Sequence, residues 1–372
     1  MTLLAFETSC DETSAAVVRG GEVLSNVVSS QVRLHAEYGG VVPELAAREH
    51  LRNLIPVTQT ALREAAVTIE QLDAVAATQG PGLPSALMVG FKAAQAFAFT
   101  LRKPFAGIHH HEAHLYSPWI RSAAVPSRSG SEACARAAAG DSHAPVHRAG
   151  ALQPLYIADF DAFQPNVSLI VSGGHTMLIH VRAELNHRVL GSTVDDAAGE
   201  CFDKVGKMLG LAYPAGAVID RLAGQGNPKA FDFPRPMLDD ANDDFSFSGL
   251  KTSVRYFLRD NPRLLDDAQK IRDLCASVQA AIVEVLVTKT IRAARRLRVG
   301  CVTASGGVTC NSALRNALSA ACTREGFTLR LAEGALCTDN AAMIGILAER
   351  KLMSNQPVTS IDAEIAPGWV LS

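Results

Sequence analysis

The stretch GIHHHEAHLYSPW, Gly107 to Trp119, puts four histidines into six residues. Imidazole nitrogens joined by an oxygen donor are the ligand set of a divalent-metal site. If the stretch is helical, His110 and His114 share one face with Cβ atoms about 5–6 Å apart, right for two nitrogens on one ion. His111 and His114 are the i, i+3 alternative. The pattern is not the H-E-x-x-H of zinc peptidases, because Glu112 lies two residues before His114. A third ligand has to come from elsewhere. LCTDNAAMIGILAERK offers Asp339 and Asn340 at the head of an apolar helix, with Asp339 either an oxygen ligand or simply the N-cap. Such a donor set suits iron and zinc alike.

A second kind of chemistry is written in three small-residue turns. LAFETSCDETSAAVV runs an apolar strand into Thr8, Ser9, Cys10, Asp11, Glu12 and Thr13 and then resumes an apolar run. NVSLIVSGGHTMLIHVRAELNHRVLGS, from Asn166, repeats that order with Ser172-Gly173-Gly174-His175-Thr176 at the tip. Tight turns of this kind expose backbone N–H groups and hydroxyls to phosphate oxygens. The hydroxyls of Ser9 to Thr13 are thus expected to fit a phosphate, with Asp11 and Glu12 beside the metal. In RVGCVTASGGVTCNSALRNAL a strand ends at Ala304, and Ser305-Gly306-Gly307 leads into a helix with Asn311 in its first turn. That is an anion site by geometry, with Asn311 reaching a ribose or base edge, unless the glycines merely let strand and helix pack closely. In STVDDAAGECFDKVGKMLGL, Asp195, Asp196, Glu200 and Asp203 fall at near-helical spacing. The first two suit the helix dipole, whereas Asp203, a turn further in, suits a ribose hydroxyl. DDFSFSGLKTSV reads as loop or cleft lining.

The elements that must position these groups are legible in outline. At 372 residues and 48% hydrophobic, the chain can bury a large core, and its length favours two domains. The two hairpin units imply two similar domains facing each other. Amphipathic spacing predicts a helix from about Val41 to Ala65, QLDAVAATQGPGL reads as a strand ending in a glycine-proline loop, and a helix follows over about Ser85 to Leu101. Residues 121 to 150 are rich in Ala, Ser, Gly, Arg and Pro without period, a solvated loop or insertion whose arginines and histidines are candidate RNA contacts. Eight scattered cysteines without a CxxC pair fit a reducing cytoplasm, and neither a signal-peptide layout nor an uninterrupted apolar span is visible. A net charge of −2 predicts no nucleic-acid partner by itself. The one concentrated basic stretch, IRAARRLR, fits a solvated helix face better than an RNA contact.

Taken together, FETSCDETSAA, GGVVPELAAREH, GPGLPSALMVG, HHHEAHL, VSGGHT, DDAAGECFDKVGKMLGL, FSFSGLKT, ASGGVTCNSALR and CTDNAAMIG resemble the bacterial TsaD family, also called YgjD or Gcp. Its members are tRNA adenosine threonylcarbamoyltransferases. The likeness runs in order from about residue 2 to 350, broken mainly over 121–165. It implies an α/β, two-lobed fold of the actin, Hsp70 and sugar kinase (ASKHA) type, with duplicated hairpin-containing domains and an interdomain cleft. Residues 1–120 would form the N-terminal lobe, with a C-terminal helix at about 340–372 as a candidate to pack back on it. Residues 121–165 would be a flexible insertion or linker, and 166–340 the C-terminal lobe. The implied activity moves the threonylcarbamoyl group of threonylcarbamoyl-AMP to N6 of adenosine 37 in tRNAs reading codons that begin with A.

By motif, His110, His114 and Asp339 match the family's ligands for one divalent metal, usually iron, with zinc the alternative. Ile170, Val171, Ser172, Gly173, Gly174, Asp203, Gly216, Asp220 and Asn311 match its adenylate and substrate contacts. The implied partners are tRNA, threonylcarbamoyl-AMP made by TsaC or a relative, and the helper proteins TsaB and TsaE, with no membrane. From the chemistry, Asp11, Glu12 and His175 are the candidate catalytic groups, Asp11 foremost. Two departures stand out. The family's YPGGP appears as Tyr213-Pro214-Ala215-Gly216-Ala217, and the 121–165 insertion is longer than the family norm. A small-molecule kinase or ATPase of the same superfamily, or a metallopeptidase, are the rival readings.

Overall fold

The computed structural model describes residues 1–123, 153–354 and 356–371. The run TLLAFE, apolar from Leu3 to Phe6, forms β1 (Thr2–Glu7), buried along its whole length, and β2 (Glu12–Arg19) and β3 (Glu22–Ser30) follow it in an antiparallel meander. A short α1 (Val32–Ala36) leads to α2 (Pro43–Glu64), which opens on a proline whose fixed φ suits a first helical turn. Next come β4 (Ala74–Gly80), α3 (Pro84–Leu101), β5 (Phe105–His109) and α4 (His110–Tyr116). β6 (Ile120–Ser122) and β7 (Tyr156–Ala158) complete this half. The second meander is β8 (Asn166–Val171), β9 (Thr176–Ala183) and β10 (Asn186–Ser192). It is followed by α5 (Ala198–Met208), α6 (Ala215–Ala223), α7 (Ser248–Asp260), α8 (Ala268–Leu297) and β11 (Cys301–Ser305). Last are α9 (Ser312–Glu325), β12 (Thr328–Leu331), α10 (Gly334–Cys337) and α11 (Ala341–Met353).

The chain divides into two compact units, Met1–Ala162 with Glu333–Leu371, and Phe163–Ala332. The first is built on a sheet of order β5-β4-β1-β2-β3-β7-β6, the second on β10-β9-β8-β11-β12. Each sheet has the same plan. Its first strand carries an antiparallel meander on one side and a parallel strand on the other, β4 beside β1 and β11 beside β8. The repeat read in the sequence is therefore a repeat of structure. In the first unit Leu4, Phe6 and Val17 face a core shared with Leu54, Phe91 and Phe105. α11 covers the opposite face, so closely that a Cβ on Gly345 would stand 2.7 Å from Val18 Cγ2. α8 is long and apolar enough to cross a membrane by composition alone, but most of that apolar window is buried inside the protein and feeds the core of the second unit.

Three expectations need correction. Both ends of the 121–165 stretch are regular structure, because β7 pairs with β3 at Glu22↔Ile157 and Val23↔Tyr156 and β6 pairs with β7. Of the arginines and histidines considered for RNA, Arg121 lies in β6, 3.9 Å from Asp159, and the others fall in residues 124–152, outside the described residues. The helix expected over about 340–372 ends at Met353, and the following tail is held instead by backbone bonds such as Ala366 N to Gln79 O and Thr359 N to Phe105 O. Finally, FSFSGLKT is less a loop than a helix start, with Phe245 and Phe247 fully buried and α7 beginning at Ser248.

Candidate metal centre

β5 delivers its last residue, His109, as the N-cap of α4, its Nδ1 accepting from Glu112 N at 3.3 Å. The next residue is His110, and one turn later His114 lies on the same face, its ring centroid 4.8 Å from that of His110. Both rings are buried. The oxygen donor comes from the head of α11. There Asn340, not Asp339, is the N-cap, with its side chain accepting from Met343 N at 3.1 Å and donating to Thr338 O at 2.8 Å. Asp339 is thereby left to face the histidines. Its Oδ1 stands 3.3 Å from His110 Nε2 and 3.4 Å from His114 Nε2. Two atoms each about 2.1 Å from a shared ion stand about 3.4 Å apart in tetrahedral ligation, so this donor set fits a divalent metal. His111, the alternative partner for His114, is not in the converging set.

The electrostatics bind the three together. Burial pulls the His110 imidazole down, but the carboxylates of Asp339 and Glu7 outweigh it and hold His110 well above its ordinary range. Burial would raise Asp339, yet His110 and His114 press it well below the usual carboxylate range. Burial leaves His114 lowered. Because Asn340 both caps α11 and sets the backbone of Asp339, Asn340→Ala is expected to cost about 1 kcal/mol and lower the melting temperature by about 2–4 °C. Thermal unfolding followed by circular dichroism checks it, and an unchanged midpoint would contradict the capping role.

The first hairpin tip differs from expectation. Its hydroxyls are turned inward rather than toward a phosphate. Thr8 Oγ1 donates to Ala86 O at 2.9 Å and accepts from Gly90 N at 3.1 Å, and Ser9 Oγ lies 3.3 Å from His110 Nδ1. Thr13 Oγ1 and Gln31 Nε2 reach His50 Nδ1 at 2.8 and 3.3 Å, while His50 Nε2 donates to Cys10 O at 3.0 Å. This network assigns His50 as the Nε2–H tautomer, and burial lowers its pKa, keeping the ring neutral. The hydroxyls thus hold the loop in shape, and Asp11 and Glu12 are what it presents. Burial raises the Asp11 carboxyl, and burial with the charges of Asp11 and Asp339 raises Glu12 well above its ordinary value.

In the second unit the corresponding tip is open. Ser172 N donates to His175 O at 2.8 Å and Ser172 Oγ accepts from His175 N at 3.1 Å, while Gly173, Gly174 and His175 are exposed. Ile170 and Val171 are fully buried in β8. Gly306 belongs to packing, with a φ of +92° and a hypothetical Cβ only 2.4 Å from Val171 O. Asn311 lies one residue before α9 rather than in its first turn. As N-cap its oxygen accepts from Leu314 N at 2.9 Å, and its amide donates to Gln279 Oε1 at 2.6 Å. Asp220 holds the same helix end, taking Ser312 N at 2.9 Å and Ser312 Oγ at 2.8 Å. Asp203 Oδ1 accepts from Ala215 N at 2.7 Å, which ties the first turn of α6, with Gly216, to α5.

Asp195 and Asp196 precede α5 rather than lying in its first turn. Asp195 binds Ser246 and Ser248, and Asp196 pairs with Lys204 and Lys251. Three of the four arginines of IRAARRLR are engaged within the unit, Arg295 with Glu325, Arg296 with Asp243 and Arg292 with Leu238 O and Asn242 O, while Arg298 is exposed. Sequence reasoning missed Glu7, Thr78 and His50. A lone carboxylate closing the otherwise apolar β1 was the available signal.

The comparisons with known proteins identify the family. The family described as TsaD, tRNA N6-adenosine threonylcarbamoyltransferase, matches residues 22–138 and 133–346. The chain belongs to the TsaD family. TsaD proteins bearing that transferase name include one from Syntrophotalea carbinolica, 43% identical over 372 residues, covering 100% of this chain and 97% of the relative. Another, from Pelodictyon phaeoclathratiforme, is 48% identical over 360 residues, covering 95% and 93%. Among solved structures, HypF of T. kodakarensis shares the fold at a TM-score of 0.57 and 14% identity, over 95% of this chain and 48% of that one. Component A of the Acidaminococcus fermentans (R)-2-hydroxyglutaryl-CoA dehydratase shares it at 0.50 and 15%, over 95% and 99%. TsaD membership and these neighbours agree with the two-lobed ASKHA-type fold expected from the sequence.

Proposed function

We propose that this TsaD chain transfers the threonylcarbamoyl group of threonylcarbamoyl-AMP to N6 of adenosine 37 in tRNAs reading codons that begin with A. The observation that carries the reading is the convergence of His110, His114 and Asp339 in a TsaD chain whose first hairpin also presents two carboxyls of raised pKa. The reaction forms a bond from N6 to the carbamoyl carbon, breaks the mixed anhydride, releases AMP and removes one proton from the amine. An adenine amine is a poor nucleophile, so the protein's work is to align it, stabilise the developing oxyanion and take the proton. His110, His114 and Asp339 would hold one divalent ion, iron foremost and zinc the alternative, which when bound supplies Lewis-acid stabilisation of an oxygen. Asp11 orients N6 or receives its proton, with Glu12 as its partner in sharing it and His175 as the alternative.

In the second unit the amides of Gly173 and Gly174, at the exposed tip, donate to the adenylate, with Ile170, Val171, Ser172, Asp203, Gly216, Asp220 and Asn311 shaping its place. The inward hydrogen bonds of Asp203, Asp220 and Asn311 support a role in which they fix the surrounding backbone. With a net charge of −2 and three of the four arginines of its concentrated basic stretch engaged internally, the chain relies on helper proteins of the TsaB and TsaE kind to hold tRNA, in the cytoplasm. The test is to incubate the full chain with threonylcarbamoyl-AMP and unmodified tRNA, with and without the helpers, and analyse the nucleosides by mass spectrometry. Threonylcarbamoyl-adenosine is expected. Its absence under every combination refutes the proposal.

A further inference from the structure

We propose that Glu7 is the positioning residue of the metal centre, its carboxylate accepting from His110 Nδ1 and so turning His110 Nε2 toward the ion. The inference rests on the metal reading above. Glu7 closes β1 and is 0% exposed. Alternation along the strand puts it on the face of Leu3 and Ala5, opposite Leu4 and Phe6, which belong to the core. Both of its oxygens are engaged. Oε1 accepts from Ser9 N at 2.5 Å, and Oε2 accepts from Thr78 Oγ1 at 2.6 Å and from His110 Nδ1 at 2.9 Å.

No lysine or arginine is among these partners. A carboxylate sealed from water without a cation is costly, and the group that offsets that cost here is the imidazole. A carboxylate behind a ligating histidine fixes the ring's tautomer and orientation and strengthens its other nitrogen as a ligand. His114 has no equivalent support, since its buried Nδ1 has no hydrogen-bond partner among the described residues. The two histidines are thus unequal, and His110 is the one whose direction the protein sets.

The full chain, stripped with a chelator, is titrated with cobalt(II) alone, with affinity read by competition against a chelating indicator and geometry by visible absorption. Wild type is expected to take up a single equivalent. Glu7→Gln keeps that stoichiometry but binds about 10–100-fold more weakly and shifts the absorption bands. Thr78→Val removes one bond to the same carboxylate without changing its charge, weakens binding in the same direction, and carries the test if Glu7→Gln does not fold. Glu112→Gln, on α4 but paired with Lys351 at 2.5 Å, leaves affinity and spectrum unchanged. Wild-type binding and spectrum in Glu7→Gln would overturn the positioning role alone. Equal weakening by Glu112→Gln would overturn it too, showing a general loosening of α4. Failure of wild type to bind cobalt would remove the metal centre, and the role of Glu7 with it.

Discussion

Asp339→Asn is expected to lower transfer from supplied threonylcarbamoyl-AMP by about 10²–10⁴-fold, the size of effect that several kcal/mol of lost charge stabilisation produces. Asp339 contributes the negative oxygen of the three-donor set, 3.3 and 3.4 Å from the two imidazole nitrogens. Asparagine preserves the shape and one oxygen but removes the charge that two buried histidines, and then an ion, require. Because Asn340 rather than Asp339 caps α11, the melting temperature should move much less than the activity. Metal analysis by plasma mass spectrometry, beside a transfer assay, reads both consequences. Full metal content with full turnover would show that the three side chains are not the centre.

Asp11→Ala is expected to abolish transfer, a loss of about 10²–10⁴-fold for a group that moves a proton, while leaving metal content intact. Asp11 is outside the converging donor set, yet close enough to Asp339 for that charge to help raise its pKa. The loop that presents it is held by Gln31 N to Asp11 O at 3.0 Å and by His50 on Cys10 O, contacts the substitution leaves in place. Activity and metal content are therefore separable at this residue and not at Asp339. Unchanged turnover would remove Asp11 from the mechanism, and loss of metal together with activity would make it part of the centre.

The fold was legible because its signals are periodic. The two strand-turn-strand runs, the apolar stripe of α2 and the glycine-proline loop after β4 each declare an element locally, and the duplicated order declared the repeat. The i, i+4 histidines announced their shared face for the same reason. What stayed hidden depends on direction at places where periodicity lapses. Asp339 and Asn340 are both good caps, and only the backbone at the start of α11 decides which side chain turns back and which is left for a ligand. The hydroxyls of Thr8, Ser9 and Thr13 have the composition of a phosphate cradle, but their neighbours in α2, α3 and α4 turn them inward. Asn311 illustrates the same limit, since strand, Ser-Gly-Gly and helix look alike whether the asparagine greets a ligand or caps its own helix. Glu7 was obscured by its surroundings, a single charge at the end of a strand that otherwise reads as core.

The proposed function has this chain acylate one adenosine through a centre on His110, His114 and Asp339. Its most direct measurement is tandem mass spectrometry of nuclease fragments from tRNA treated, with the helpers present, by chelator-stripped and by metal-reloaded enzyme using isotope-labelled threonylcarbamoyl-AMP. Label is expected on the fragment carrying adenosine 37 after reloading and little before it. Equal labelling by both preparations, or label on no adenosine in either, would contradict it.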